Sequence, residues 1–428
     1  MPNRSLPPDM TFRLPSFDSA LGNHIIELHV WAVRQGLGGA AAATLFDRLC
    51  QRLVIAGVPL WRAFAGMRTL HPQWGGYSYT WRRDLNAIQP AQFERGDEYE
   101  QGLRSSPFGY LFRQAAIADR GGPPWLHLRR HLAGPEAQLD FPILKEFAAS
   151  GATDYFAELF RFGEEGDPSR GIGIGYSFAT DRTGGFHDDD LTLLQAVLPA
   201  ASLAMMADAS HAIASGLLQA YLGSDAGQRV HSGAIIRGSV ESIHAVLWYA
   251  DIRGFTAIAD TIPGLQVIEL LDEVFETLTA LLRARGGQVL KFLGDGMLAT
   301  FPCVPATRRK VCRQALDAAR EAMQAIDRLN ATRRHAGRPV AEVDLALHLG
   351  EVLYGNVGAI DRLDFTVIGP AVNEVARMEA LCQPLGCKVL VSAELTAAVG
   401  DDPHLYSLGS HTLRGVREGR ELYGLDLG

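Results

Sequence analysis

WYADIRGFT, residues 248 to 256, carries an apolar strand out onto a carboxylate, Asp251, then turns at Gly254 towards a new apolar-periodic run from Ala257. The same design returns in KFLGDGMLATF, residues 291 to 301, where Asp295 stands at the turn between two strand-like runs. Both carboxylates then project past the end of a sheet. Such a pair suits a divalent cation, because Mg2+ prefers oxygen ligands and is held by one or two carboxylates together with substrate phosphates. The segment between them reads as one amphipathic helix, Leu265 to Arg285, that returns the chain to the neighbouring strand. Taken singly, each half is ordinary: an aspartate before a turn is a common cap, and Asp-Gly is a favoured two-residue hairpin connection.

Gly254, Phe255 and Thr256 form a glycine-containing turn into a helix start, and such a turn offers unpaired backbone N–H groups to an anion. Beyond the hairpin, the pattern predicts a helix from about Ala306 to Ala331, strands at Glu342 to Gly350 and Asp364 to Ile368, and a final strand pair at Lys388 to Ser392 and the C-terminus. Gly369-Pro370 opens a further helix, Ala371 to Leu381, since proline at a first helical position loses no needed donor. Asn373 and Arg377 are four residues apart in it and share a face. An amide and a guanidinium aimed at one point stabilise charge on a phosphoryl group in flight. The plainer reading of the same residues is a surface asparagine and an ion pair from Arg377 to Glu374 or Glu379.

At 428 residues, 47% of them apolar, the chain exceeds one ordinary core and is expected to fold as two domains. A net charge of -8 and the lack of a basic run exclude a nucleic-acid partner held by phosphate contacts. The five cysteines, Cys50, Cys303, Cys312, Cys382 and Cys387, are odd in number and lack C-x-x-C spacing, so reduced thiols in a cytoplasm are expected. Polar, proline-bearing residues stand where a signal peptide would have its apolar core. The greasiest stretch, Leu191 to Met206, is interrupted by Thr192, Gln195, Pro199 and Ser202, and no membrane span is expected.

Residues 1 to 190 read as mixed α/β. Helical periodicity at Ala40 to Ala56 is followed by strands at Pro59 to Thr69 and Gly76 to Arg82, a helix near Tyr99 to Arg113, and strands at Trp125 to Arg130, Asp154 to Phe162 and Ile172 to Ala179. Five of the six tryptophans (Trp31, Trp61, Trp74, Trp81, Trp125) lie in this half, where core packing explains them better than a ligand pocket. His187 with Asp188 to Asp190 has the composition of a metal cluster, yet an acidic first turn complementing a helix dipole explains the same residues. The stretch GIGIGYSFATDRTGGFHDDDLTLLQAVLPAASLAMM resembles the closing strand, acidic helix start and exit helix of GAF-type sensor domains. Residues 191 to 242 read as a helical linker and transducer element.

DIRGFT, KFLGDGMLATF and DFTVIGPAVNEVARMEAL together resemble the class III nucleotide cyclase catalytic domain over residues 243 to 428. The resemblance implies an α/β (α+β) fold: an N-terminal GAF-like sensor domain, a helical linker and a C-terminal ferredoxin-like βαββαβ core working as a head-to-tail homodimer. It implies two Mg2+ or Mn2+ ions per site on Asp251, Asp295 and the Ile252 carbonyl. It further implies β and γ phosphates on the amides of Gly254, Phe255 and Thr256, base reading by Lys291 and Thr366, and ribose and transition-state contacts from Asn373 and Arg377. Arg414, in LRGV, matches a basic residue that binds the triphosphate tail. A lysine and threonine pair looks like an adenylyl-cyclase subgroup, some of whose members respond to bicarbonate.

Donor counting agrees with ATP as substrate. Lysine has only donors and suits the N1 acceptor of adenine, while Thr366 accepts from the exocyclic amine. The 3′ oxygen would attack the α phosphorus and expel pyrophosphate, with Asp251, a water or a substrate phosphate oxygen taking the proton. The alternatives are a cyclase acting on GTP or a pyrimidine triphosphate, and a catalytically silent nucleotide-binding module. A diguanylate cyclase is disfavoured because no GG[DE]EF signature occurs. The expected partners are ATP, a second copy of the chain, and an unknown small-molecule or protein signal at the N-terminal domain.

Overall fold

The computed structural model describes residues 19–117, 125–162, 172–416 and 418–428. The proline-bearing N-terminus lies outside them, as does Gly171 at the head of the GIGIG run. The chain divides into two compact units between Leu217 and Leu218.

The first unit runs α1 (Ala20–Leu37), α2 (Ala42–Ile55), β1 (Arg62–Arg68), β2 (Trp74–Arg82), β3 (Ala87–Glu94), α3 (Asp97–Arg104), α4 (Pro107–Ile117), β4 (Trp125–His131), α5 (Pro142–Ala149), β5 (Asp154–Phe162), β6 (Ile172–Thr180) and α6 (Asp188–Leu222). Its strands form an antiparallel sheet in the order β3-β2-β1-β6-β5-β4. Alternation along β6 sends Ile174, Tyr176 and Phe178 to one face, where α1, α2 and α6 cover them. On the opposite face of β5, Tyr155 and Ala157 pack with Leu111 of α4 and with Leu144 and Phe147 of α5.

The helix expected over Tyr99 to Arg113 is two helices, because Ser105 and Ser106 precede Pro107, and a residue before proline is disfavoured in the α region. Helices α1 and α5 and strand β3 were not anticipated. Trp81 is 1% exposed in the core, as packing predicts. Asp190 forms an ion pair with Arg182 and its carboxylate accepts from the His187 N–H at 2.7 Å, so the acidic run starts α6. Among the described residues α6 is the helix long and apolar enough to cross a membrane, and 50% of its apolar window is buried inside the protein. Leu193, Leu194, Val197, Leu198 and Met205 of α6 belong to the core of the first unit.

The second unit continues with α7 (Ser224–His231), β7 (Val240–Ile252), α8 (Phe255–Thr261), α9 (Gly264–Ala284), β8 (Gln288–Leu293), β9 (Gly296–Cys303), α10 (Arg308–His335), β10 (Val343–Gly358), β11 (Leu363–Ile368), α11 (Pro370–Glu379), β12 (Val389–Ser392), α12 (Ala393–Val399), β13 (Leu405–His411) and β14 (Arg420–Leu425). Ala226 of α7 is buried in this unit's own core, so the first part of the glycine-bearing stretch after Leu222 is helical and packed, and residues 232–239 after it are turns and irregular chain. The sheet order is β13-β14-β12-β10-β7-β9-β8, with β11 pairing β10. Its βαββαβ portion, β7 to β10, is antiparallel throughout, the ferredoxin-like arrangement.

One expectation fails here. The chain does not return from β7 to a neighbouring strand, because β9 lies between β7 and β8 and two helices, α8 and α9, make the crossing. Leu270, Val274, Leu278 and Leu282 recur every four residues along α9 and are 0–1% exposed against the sheet. Each such burial is worth roughly 1.5–3 kcal/mol, and the row fixes how the turn before α9 leaves the sheet. Strand β10 runs on to Gly358, beyond the expected Gly350, because its second half pairs with β11.

Candidate active site

Sheet register brings the two aspartates together. Ala250 pairs with Met297 across β7 and β9, so Asp251, one residue on, stands level with Gly296 and the turn holding Asp295. Gly294 and Asp295 are the two central residues of that turn, Leu293 pairing with Gly296, and Gly294 has φ +69°. Positive φ at the first central position is the II′ pattern, so Gly294 rather than the expected Asp-Gly step makes the turn. A Cβ at Gly296 would lie 2.8 Å from Asp251 Oδ1, too close for an ordinary contact. Glycine there leaves the room the carboxylate occupies.

On the other side of β7, Asp251 pairs in register with Asp344 of β10. Asp344 is buried and held by Arg253, whose Nε donates at 2.9 Å and whose Nη1 also reaches Glu342 at 3.3 Å. Arg253 is thus folded back onto β10 and fixes the turn it belongs to. Gly254 follows in the left-handed region, φ +65° and ψ 26°, and caps α8. Left-handed geometry before a helical residue aims successive N–H groups to one side, and the first N–H groups of a helix have no intrahelical acceptor. The amides of Gly254, Phe255 and Thr256 therefore lie where the sequence expected an anion-facing turn. The Ile252 side chain is buried, and its backbone N–H is hydrogen-bonded to the Asp251 carboxylate.

Burial first, then the charges of Asp295 and Asp344, push the Asp251 carboxyl up to about 6. A third carboxylate shares this environment. Glu379, the last residue of α11, is pushed up to about 7 by burial and then by Asp251, Asp344 and Asp295. Sequence reasoning met Glu379 only as a partner for Arg377. The signal was present in the helix pattern, since Ala371, Val375 and Glu379 are successive fourth residues and the first two are buried.

Lys291 and Thr366 come from different strands to one neighbourhood. Lys291 of β8 forms an ion pair with Asp364 of β11. Asp364 and Thr366 are two apart in that strand and so share a face, with Phe365 and Val367 buried on the other. Asp364 was not singled out from the sequence, although its place two residues before Thr366 contained the information.

Arg377 of α11 lies against a neighbouring loop. Its Nη2 is 3.6 Å from where a Cβ of Gly415 would stand, and Gly415, φ +75°, directly follows the exposed Arg414 in the turn between β13 and β14. The Arg377 guanidinium thus stands beside the turn that carries Arg414. Asn373 is exposed one turn earlier. The plainer reading of an Arg377–Glu374 pair does not hold, since Glu374 is taken by Arg420 at 3.1 Å. Among the described residues no carboxylate pairs with Arg377, and neither Arg377 nor Lys291 is among the groups that act on Asp251. Among the described residues neither Lys291 nor Arg377 forms an ion pair with Asp251 or Asp295 of its own chain, Lys291 being paired with Asp364.

Asp251 and Asp295, side by side and in no ion pair among the described residues, fit a divalent ion by their donor chemistry. The sign of the pH effect follows. A carboxyl whose folded pKa is raised loses stability as pH rises from its ordinary range to about 6, and that cost is fully present above 6. A bound cation needs the ionised form and reverses the cost. Added Mn2+ is expected to raise the thermal midpoint at pH 8 and to do so progressively less below about pH 6. Scanning fluorimetry with and without Mn2+ checks this; equal gains at pH 5 and pH 8 would argue for binding elsewhere.

Residues 240–426 match the family model described as the adenylate and guanylate cyclase catalytic domain. An adenylate cyclase of Anabaena cylindrica is 30% identical over 159 residues, which cover 36% of this chain and 30% of that protein. Adenylate cyclase 1 of Rhizobium meliloti is 28% identical over 202 residues, covering 44% of this chain and 30% of that protein. The match thus spans about a third of each of these relatives. Among solved structures, a bacterial light-regulated adenylyl cyclase is 26% identical with a TM-score of 0.38, covering 44% of this chain and 92% of that one.

Proposed function

From a C-terminal unit that carries an adenylate and guanylate cyclase catalytic domain, we propose that the chain is a cytoplasmic adenylate cyclase, built as a homodimer and regulated through its N-terminal unit. It converts ATP to 3′,5′-cyclic AMP and pyrophosphate. The single observation that carries this reading is the register that sets Asp251 beside the Asp295 turn, neither of them in an ion pair among the described residues. Five buried free cysteines support a reducing compartment.

Asp251, Asp295 and the Ile252 carbonyl would hold Mg2+ or Mn2+, two ions per site, which when bound acidify the attacking hydroxyl and neutralise the leaving charge. The chain's own groups do the rest. Amides of Gly254, Phe255 and Thr256 take the β and γ phosphates, and Arg414 takes the triphosphate tail. Asn373 orients the ribose, and Arg377 meets charge developing on the α phosphoryl group as the bond to the β phosphate breaks. Lys291 donates to adenine N1 and Thr366 accepts from the 6-amino group. Since neither Arg377 nor Lys291 pairs with Asp251 or Asp295 of its own chain among the described residues, this reading has a second chain supply them.

Side-by-side assay of ATP, GTP, CTP and UTP with Mg2+ and Mn2+ tests the reading. Cyclic AMP is the expected main product; no cyclic nucleotide from folded, dimeric protein would end the proposal, and a preference for GTP would replace its substrate. Replacing Lys291 by Glu removes the donor to N1 and sets two carboxylates, Glu and Asp364, against each other. kcat/KM for ATP is expected to fall by about 10² or more with dimerisation unchanged by sedimentation. A loss below threefold would take Lys291 out of base recognition.

A further inference from the structure

A cavity of about 790 Å³ opens in the first unit between one sheet face and helices α3 and α4. It exists because of which side chains the strands send there. Alternation along β1, β2 and β6 puts Gly66, Gly76, Gly173 and Gly175 on this face, while Ala65, Ile174 and Tyr176 fill the core behind it. Glycine within strands costs stability and packs nothing, so four of them on one face are a standing expense whose product is space. The space is walled by rings. Phe108 lies against Gly175, where an added Cβ would come within 2.6 Å of it, and Tyr99 lies against Gly76 at 2.7 Å. Phe64 and Phe108 form a tilted pair with centroids 5.6 Å apart, and Phe93 and Tyr99 another at 5.8 Å. None of the tryptophans lines it.

Charge narrows the occupant. Glu94, Asp97 and Glu98 line the mouth, and among the described residues none of them is in an ion pair. The two arginines of the lining are engaged: Arg68 with Glu100 at 3.1 Å, and Arg95 with the backbone carbonyls of Thr69 and His71 at 3.1 and 3.2 Å. Three carboxylates thus stand against one cation, Arg95, whose guanidinium is held by carbonyls, and an anion would meet net negative charge. The volume falls within the range of small-molecule sites, which are mostly apolar with a few polar groups that set specificity.

We propose that this cavity binds a flat aromatic small molecule carrying no negative charge. This deepens the sensor reading of the N-terminal unit and rests on it for any effect on catalysis, but not for binding. Two dyes with nearly the same ring frame separate the terms: N-phenyl-1-naphthylamine, uncharged, and 8-anilinonaphthalene-1-sulfonate, anionic. Fluorescence titration of the full chain is expected to show saturable binding of the uncharged dye, one per chain, with the sulfonate at least tenfold weaker at low salt.

Gly102 of α3 lines the cavity, and a Cβ there meets nothing within 4 Å, so Gly102→Trp places a ring in the space without a backbone clash. It is expected to weaken the uncharged dye at least tenfold while the thermal midpoint holds. Asp97→Asn with Glu98→Gln, both at exposed positions, is expected to narrow the gap between the dyes. No saturable binding, or binding indifferent to Gly102→Trp, overturns the site; a sulfonate that binds as well as the uncharged dye overturns the charge class. If the uncharged dye binds as stated and the rate of cyclic nucleotide formation does not change, the site stands and the sensor reading falls.

Discussion

Asp251→Asn is expected to abolish turnover, by at least on the order of 10³, and at the same time to make the metal-free protein more stable. Both effects have one cause. Burial and the neighbouring Asp295 and Asp344 push the Asp251 carboxyl up to about 6, so at neutral pH its charge is held against the preference of its surroundings. The full value of that displacement is about 3 kcal/mol, and screening at a half-exposed site reduces it to about 1. Removing the charge while keeping the shape returns this, and the thermal midpoint should rise by about 2–4 °C without added cation. Mn2+ should then stabilise the wild type and leave the variant unmoved. Asp295→Ala should match it in lost turnover, since a residue at the centre of a hairpin turn contributes little to the core. Calorimetry beside a product assay reads both quantities; a variant that loses activity together with several degrees of midpoint would mark Asp251 as a structural group rather than a ligand.

The same residues explain which parts of the fold were legible. Apolar strands ending on carboxylates, the fourfold row of α9 and the proline that opens α11 are local patterns, and the elements they predict are present within a few residues. The placement of β9 between β7 and β8 is a non-local pairing that no window of sequence contains. The length of β10 was underread for the same reason, its second half being held by β11. In the first unit Leu103, Tyr110 and Leu111 keep a helical period across Ser105 and Ser106, so periodicity outvoted the break before Pro107. Of the site, the residues on turns and helix faces could be named from sequence. Asp364 and Glu379 left only a same-face spacing to find them by, because the first matters through β8 and the second through β7.

The unequal treatment of charge across the second unit bears on assembly. Asp344 has its arginine and Glu374 has Arg420, so buried carboxylates that only support the fold are paired inside the chain. Asp251 is not, and Arg377 has no carboxylate among the described residues. A half-buried charge left alone costs on the order of 1 kcal/mol unless something else meets it. In the proposed reading substrate and cations would meet the first, and phosphate of a nucleotide held by the other chain would meet the second.

That division predicts rescue between two dead enzymes. Asp251→Ala spoils the metal half of every site in its homodimer, and Arg377→Ala spoils the transition-state half of every site in its own. Mixed and allowed to exchange at random, about half of the dimers carry one chain of each kind. In those, one site collects both lesions and the other collects neither. Specific activity should therefore recover to about a quarter of wild type, half the dimers each with one sound site of two. The control is a mixture of Asp251→Ala with Asp295→Ala, which should stay inactive because each chain damages a different site beyond use. If every chain held a whole site, neither mixture would gain anything, and the separation of Arg377 from Asp251 would have another cause. The outcome is read by mixing purified chains, following exchange by subunit labelling, and assaying cyclic AMP at equilibrium.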